Sequence, residues 1–541
     1  MTTTSDTATA PLPATLDDLL DSASRTRPDA VAVACGSQLL TYKELHARVR
    51  ATARRWNSLG LTPHGTVALL LDNTPQCVVA FLAAAHLGAR LAPLEPGTTP
   101  PQLTALRAAT GPLFIAAHKA RLRALDGGEN QHPHDGGGKH NAHDGGEKQS
   151  PLDDCVLIPV DEPDSAADRP GRQTSAPEPD DDQPRTAAPD APFLYQYTSG
   201  STGKPKAAVH TQRNLVNGSE IYTRAYGITD NDRILAGVPL LHSFGMVAAL
   251  VTALRARAQL VVLGRFTPTR LLSALNEHAC TVLVAAPMAY DLTTRAAAGS
   301  PPPRPPHALR LCLSSGAALP PAVAQRAKER LGLDIQQVYG CTEAGVIAAH
   351  RPEDSPPTDR GVGRPLPGVQ IRVVDEHGQE VPRGQQGTLL VRTPAMFTHY
   401  LGHPQATRQA FHDGWYTTGD IARHDPEGHL HLLGRKDSFI NVGGKKVNAL
   451  EVEQALLTHP SVTEAVVWGE ETGDTGERVR ATVVARTPLP PAELTSHCRA
   501  RLLPHQVPTT IDFASTLPKT PLGKIRHTAT HTTPDTDSNP E

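Results

Sequence analysis

YTSGSTGKPK, residues 197–206, is the stretch from which the reading starts. Hydroxyls at Thr198, Ser199, Ser201 and Thr202, backbone amides left unscreened by Gly200 and Gly203, and the ammonium groups of Lys204 and Lys206 make a loop able to wrap a triphosphate. A Walker A loop, G-x-x-x-x-G-K-[ST], would need Gly at 198 and Ser or Thr at 205, where Thr198 and Pro205 stand. The loop is therefore a phosphate cradle of another kind, and a P-loop hydrolase is disfavoured.

On either side the pattern is α/β. YKELHARVRATARRWNSLG spaces its apolar residues as a helix does, TVALLL reads as a short strand and CVVAFLAAAHLG as a buried helix. After the cradle, PLLHSFGM, AQLVVLG, CTVLVAAP and LRLCLSSG read as strands or strand ends leading into loops. From Val362 to Thr393 the text shortens into β segments with turn signals, as in IRVVDEHGQEVPRGQQGTLLVR, and βα alternation resumes after Gly434. The expectation is a large N-terminal domain, 1–434, of α/β subdomains plus a small β subdomain, followed by a small α+β C-terminal domain, 435–541. The border falls at Arg435 to Asp437, and the Thr/Pro/Asp tail is expected to be disordered from about residue 528.

Between about 126 and 189 the pattern collapses into HPHDGGGKHNAHDGGEK and Pro- and Asp-rich text, read as a disordered insertion. His132, His134, His140 and His143 lie close together there, but histidines without a fixed geometry are read as inert.

The 541 residues allow roughly three to four folding units at about 150 residues each. A formal net charge of -3 offers no basic excess for nucleic acid or an anionic membrane, which leaves small-molecule chemistry as the better reading. Seven cysteines stand singly, with no C-x-x-C pair, against a disulfide framework or zinc knuckle. No segment reads as a signal peptide or a transmembrane span, so a cytoplasmic protein is expected.

Further blocks follow the cradle: SSGAALP at 314–320, VYGCTEAG at 338–345, GWYTTGD at 414–420, GRKDSFINVGGKKVNALEVE at 434–453 and LPKTPLGKIR at 517–526. In composition and order they resemble the adenylate-forming superfamily of acyl-CoA synthetases, peptide-synthetase adenylation domains and beetle luciferases, over about Leu40 to Arg526. Each residue also has its own chemistry. Tyr339 offers a flat face for adenine, Thr342 a hydroxyl near phosphate, and Glu343 a hard oxygen ligand for Mg2+. The resemblance implies that Asp420 accepts from both ribose hydroxyls, as a two-oxygen acceptor suits a vicinal diol, and that Arg435, a planar, permanently charged fork, lies near ribose and phosphate. Gly316, Ala317 and Ala318 resemble the family's small-residue segment lining the adenine and acyl sites, where small residues leave volume for ligand, and the resemblance places Gly340 in the same nucleotide site.

The resemblance implies that Lys524 bridges the reacting carboxylate and the α-phosphate, where negative charge builds during attack. It further implies that the small domain is a mobile lid pivoting at Asp437. Its swing withdraws Lys524 and brings in the loop with Gly443 and Gly444, where a pantetheine arm passes closely. His242 is similar to a family histidine at the mouth of the acyl pocket and is read as a gate. Cys341 is read as packing, because the chemistry needs no enzyme thiol.

Catalytic roles are thus expected of Lys524, Glu343, His242 and Thr198, with ATP, Mg2+ and coenzyme A as the small molecules. Peptide-synthetase domains place an aspartate where this chain has His242, Ser243, Phe244 and Gly245, so a fatty or aryl acid is expected rather than an amino acid. Val284, Ala285, Ala286, Pro287, Met288, Ala317 and Val346 are candidates for the acyl pocket. The alternative within the same chemistry is a freestanding enzyme that loads a carrier protein through its phosphopantetheine arm; with the chain ending soon after Arg526, no fused carrier domain is expected. A nucleotide-binding scaffold without catalysis would lack one of the residues named, and none is missing.

Overall fold

The computed structural model describes residues 14–125, 152, 155–160, 187–198, 206–296, 308–351, 361–443, 445–471, 477–519 and 525. Two large sheets form the bulk. In the first, six strands run parallel: Val31–Cys35, Gln259–Val262, Arg233–Ala236, Val282–Ala285, Leu311–Ser314 and Ile335–Cys341. Antiparallel strands close both edges, Gln38–Thr41 at one and Gly345–Ala349 with Arg364–Pro365 at the other. In the second, Pro192–Thr198, Arg90–Pro93, Thr66–Leu70, Leu113–Ala117 and Cys155–Pro159 are parallel, while Lys206–Thr211 and His399–Tyr400 add antiparallel pairs.

Strands buried on both faces need helices to cover them, and the sequence supplies these. Thr66–Leu70 is buried along its whole length. Helix Tyr42–Ser58 starts at a capping box between Thr41 and Glu44 and buries Tyr42, Leu45, Val49, Ala53 and Trp56 on one stripe. Helix Pro75–Leu87 is apolar nearly all round, and its Phe81 packs edge-on against Phe193 at 5.7 Å.

A third, antiparallel sheet pairs Gln370–Val374, Gly387–Arg392, Trp415–His424 and Phe411–His412, with Leu430–Arg435 on the far side of Trp415–His424. The C-terminal part has a core of its own, including Ile440, Val447, Val452, Leu456, Val467, Val483, Leu494 and Cys498. It is built from the hairpin Phe439–Val442 and Lys445–Asn448, two helices, and the sheet Val462–Glu471, Glu477–Ala485, Thr510–Phe513. The architecture is the expected α/β one, with a large N-terminal domain and a small C-terminal domain.

Two local readings are corrected. The stretch 126–189, expected to be an insertion without structure, contains the strand Cys155–Pro159, which pairs in parallel with Leu113–Ala117 and buries Ile158. A five-residue edge strand with one deeply buried side chain leaves little trace in composition. PLLHSFGM, read as a strand or a strand end leading into a loop, lies past the strand: Arg233–Ala236 ends before it, its first residues are loop, and a π-helix begins at Gly245. Apart from 152, 160 and 187–189, the rest of the insertion, its histidines and the tail from 528 lie outside the described residues.

Candidate active site

In open parallel sheets, ligands collect beyond the carboxyl ends of the strands. Thr198, the loop 315–320 and Tyr339 all stand at such ends, on Pro192–Thr198, Leu311–Ser314 and Ile335–Cys341. Thr198 and Lys206 face each other as the last pair of an antiparallel hairpin, with the Thr198 hydroxyl donating to the Lys206 carbonyl at 3.3 Å. The cradle residues between them, Ser199, Gly200, Ser201, Thr202, Gly203 and Lys204, lie outside the described residues, as do Gly444 and Lys524.

VYGCTEAG turns the parallel strand back on itself. The pairing of Ile335–Cys341 with Gly345–Ala349 shifts register between Tyr339 and Gly340. Gly340 is needed for that bulge, because a Cβ there would stand 2.3 Å from the Gly345 carbonyl oxygen. Tyr339, half-buried, donates its hydroxyl to Asp420 Oδ2 at 2.5 Å. Burial, and then the Asp420 carboxylate, push the Tyr339 phenol well above its ordinary value, so it remains a donor.

Asp420 comes from the third sheet and is paired across it with Arg435, whose Nη1 lies 3.6 Å from Asp420 Oδ1. Gly419 holds φ +79°, and a Cβ there would meet Arg435 Nη2 at 2.9 Å. The Asp420 amide donates to the Thr418 hydroxyl at 3.0 Å, which fixes the carboxylate's backbone. An aromatic face, a two-oxygen acceptor and a guanidinium are thereby brought together from two sheets.

Two residues after Cys341, Glu343 accepts from the Tyr400 hydroxyl at 2.9 Å through Oε1, and its carbonyl accepts from the Phe397 amide at 2.7 Å. Lys206 places its ammonium 5.6 Å from the centre of the Tyr400 ring. Glu343 thus stands beside the base of the cradle. Among the described residues no cluster of three His, Cys, Asp or Glu side chains is arranged for a metal ion. A hard cation here would take Glu343 as its protein ligand and complete its shell with phosphate oxygens and water, which suits Mg2+.

His242 stands one residue from Leu241, whose carbonyl accepts from Gln196 Nε2 at 3.3 Å, two residues before Thr198. Its surroundings push the imidazole down to about 4, so it is neutral at physiological pH. Gly316 takes φ +91° after Leu311–Ser314, and the Leu319 amide donates to Gln337 Oε1 at 3.2 Å, tying the 316–318 segment to the strand that carries Tyr339. Thr342 is half-buried between Cys341 and Glu343. Gly443 lies exposed in the hairpin turn of the C-terminal part, φ +56°, and Asp437 in the 3-10 turn Lys436–Ser438.

A family model described as AMP-binding enzyme matches residues 20–401, and one described as AMP-binding enzyme C-terminal domain matches 451–524. The chain belongs to the AMP-binding enzyme family. Among relatives of this AMP-binding enzyme, an oxalate–CoA ligase of Arabidopsis thaliana is 28% identical over 95% of this chain and 97% of its own length. A 2-succinylbenzoate–CoA ligase of Bacillus licheniformis is 30% identical over 92% of this chain and 96% of its own. The solved structure of O-succinylbenzoate coenzyme A synthetase from Bacillus subtilis in complex with AMP is 25% identical, covers 95% of this chain and 98% of its own, and superposes with a TM-score of 0.79. Among the described residues, no helix is long and apolar enough to cross a membrane.

Sequence reasoning missed the aromatic cluster behind Glu343. Phe397 packs against Tyr400 at 4.8 Å, Phe411 at 5.0 Å and Tyr416 at 5.4 Å. It also missed His210, buried on Lys206–Thr211 against Phe397 and engaged with the Thr342 backbone; burial pushes this imidazole down to about 4. Tyr416 lay in plain sight within GWYTTGD.

Proposed function

We propose that this AMP-binding enzyme joins a monocarboxylic acid with an apolar fatty or aryl tail to coenzyme A in two steps. In the first, a carboxylate oxygen attacks the α-phosphorus of ATP and pyrophosphate leaves. In the second, the thiol attacks the acyl carbonyl, AMP leaves and a thioester remains. The observation that carries the reading is the convergence of Tyr339, Asp420 and Arg435 on one side of Cys341 with Glu343, Tyr400 and Lys206 on the other.

Tyr339 stacks on adenine, while Asp420 accepts from the ribose hydroxyls and Arg435 offsets charge at ribose and phosphate. Gly316, Ala317, Ala318 and Gly340 leave room for the nucleotide, and Thr342 and Thr198 present hydroxyls to phosphate. The cradle residues Ser199 to Lys204, together with Lys206, hold the leaving pyrophosphate. Glu343 would hold Mg2+, which would supply neutralisation of phosphate charge. Lys524 sits between carboxylate and α-phosphate, then withdraws as the C-terminal part turns about Asp437 and lets Gly443 and Gly444 admit pantetheine.

For the acid's tail, support comes from the absence of charge. His242 is neutral, Phe244 and Met246 are buried, and the candidate pocket residues Val284, Ala285, Ala286, Pro287, Met288, Ala317 and Val346 are all apolar. On the helix that follows, Asp291 is neutralised by Arg295 at 2.8 Å and by Arg326. A second carboxylate or an ammonium on the substrate would be desolvated without a partner.

The test is acyl-CoA formation across fatty, aryl, dicarboxylic and α-amino acids. Monocarboxylic acids with apolar tails should exceed dicarboxylic and amino acids in kcat/KM by about 100-fold or more. Preference for oxalate, a succinylbenzoate or an amino acid would contradict the substrate assignment.

A further inference from the structure

Glu343 is the expected ligand of a cation, yet a glutamate on a turn has three side-chain torsions to immobilise before it can hold one in place. Here the carboxylate is fixed by a residue 57 positions away. Tyr400 donates to Oε1 at 2.9 Å, and among the described residues no other hydrogen bond reaches the carboxylate. The Phe397 amide holds the Glu343 carbonyl at 2.7 Å, so one short segment, 397–400, grips both the backbone and the side chain of the glutamate.

Tyr400 is itself constrained. Its ring packs on Phe397 at 4.8 Å with an interplanar angle of 58°, and the buried Tyr416 packs on the same Phe397. The strand His399–Tyr400 pairs with Lys206–Thr211, Tyr400 opposite Ala208, so the tyrosine is attached to the hairpin that ends in the cradle. The Lys206 ammonium, 5.6 Å from the ring centre, is steered by the same side chain.

We propose that Tyr400 is a positioning residue. Its hydroxyl occupies Glu343 Oε1 and turns Oε2 toward the cation, and its ring sets Lys206 beside the phosphates. No proton moves in this arrangement; the tyrosine removes alternative rotamers of the metal-bound carboxylate before nucleotide arrives.

The inference rests on the ligase reading above, and its test separates the two. Binding of a non-hydrolysable ATP analogue is measured by calorimetry on the full chain, with Mg2+ and with EDTA, in the wild type, Tyr400→Phe and Tyr400→Leu. Wild type should bind more tightly with Mg2+. Tyr400→Phe should lose roughly ten- to hundredfold of that Mg2+-dependent gain, the effect of one hydrogen bond to a charged group, while keeping its affinity in EDTA and its melting temperature. Tyr400→Leu, which also removes the ring from Lys206, should weaken binding in EDTA as well. In turnover, Tyr400→Phe should recover toward the wild-type rate as Mg2+ is raised; a merely structural role would lower the rate equally at every Mg2+ concentration. A Mg2+-dependent gain that survives intact in Tyr400→Phe overturns the positioning role alone. A wild-type protein that binds no nucleotide overturns the ligase reading and this inference with it.

Discussion

Gly340 illustrates how much of the site hangs on one missing methyl group. The bulge beside it sets Tyr339 toward Asp420 on one side and Glu343 toward Tyr400 on the other, and the Gly345 carbonyl occupies the space a Cβ would need. Backbone cannot yield as a flexible side chain can, so Gly340→Ala must open the hairpin. The expected cost is about 1–3 kcal/mol of stability, with at least about tenfold weaker nucleotide binding. Thermal melting and calorimetry would show both, and an alanine variant that binds nucleotide as the wild type does would sever the bulge from the site. Tyr339, Glu343 and Asp420 were legible in the sequence because each sits in a block whose order and composition repeat a known pattern. Tyr400 was not, since nothing adjacent to it in the chain announces a partner 57 residues back.

Among elements, the parallel strands and their covering helices could be read from periodicity, because full burial leaves continuous apolar runs such as TVALLL. Apolar runs do not declare their geometry, which is why PLLHSFGM, read as a strand or a strand end leading into a loop, proved to follow the strand and lead into a π-helix. The edge strand Cys155–Pro159 was hidden for the opposite reason, being short and set in polar low-complexity text. In the C-terminal part, helix Ala449–Leu457 carries Glu453, whose Oε1 accepts from the Val467 amide at 2.9 Å. Burial raises this carboxyl to about 7 from an ordinary 4.5. A folded-state pKa above the unfolded one contributes stability that is fully present below about 4.5 and is lost as pH rises through about 7. Glu453→Gln, which keeps the acceptor oxygen but cannot ionise, should therefore melt higher than the wild type at pH 8 and close to it at pH 4.5. Melting curves of the full chain at the two pH values check this, and an equal difference at both would contradict it.

The molecule as a whole consists of two sheets whose strand ends meet a third, smaller sheet at the proposed nucleotide site, and a C-terminal part with its own core. At the junction, Gly434 holds φ +144°, a backbone conformation that L side chains rarely adopt, and a Cβ there would stand 2.8 Å from Asn448 Oδ1, so Asn448 would have to shift. Asn448 both caps helix Ala449–Leu457 through the Leu450 amide at 3.0 Å and donates to the Leu433 carbonyl. A separate core joined through one short turn is what a pivoting lid requires, and the proposed division of labour between Lys524 and the Gly443 loop depends on it.

The central claim is that the acid is activated on AMP before any thiol takes part. Exchange of labelled pyrophosphate into ATP, with acid present and coenzyme A absent, reads that step alone. The account predicts label in ATP only when an acid is supplied, no requirement for coenzyme A, and loss of most of the exchange in Lys524→Ala, although that variant still converts supplied acyl-AMP to thioester. Wild-type protein that exchanges no label with any acid, or does so only once coenzyme A is added, would contradict it.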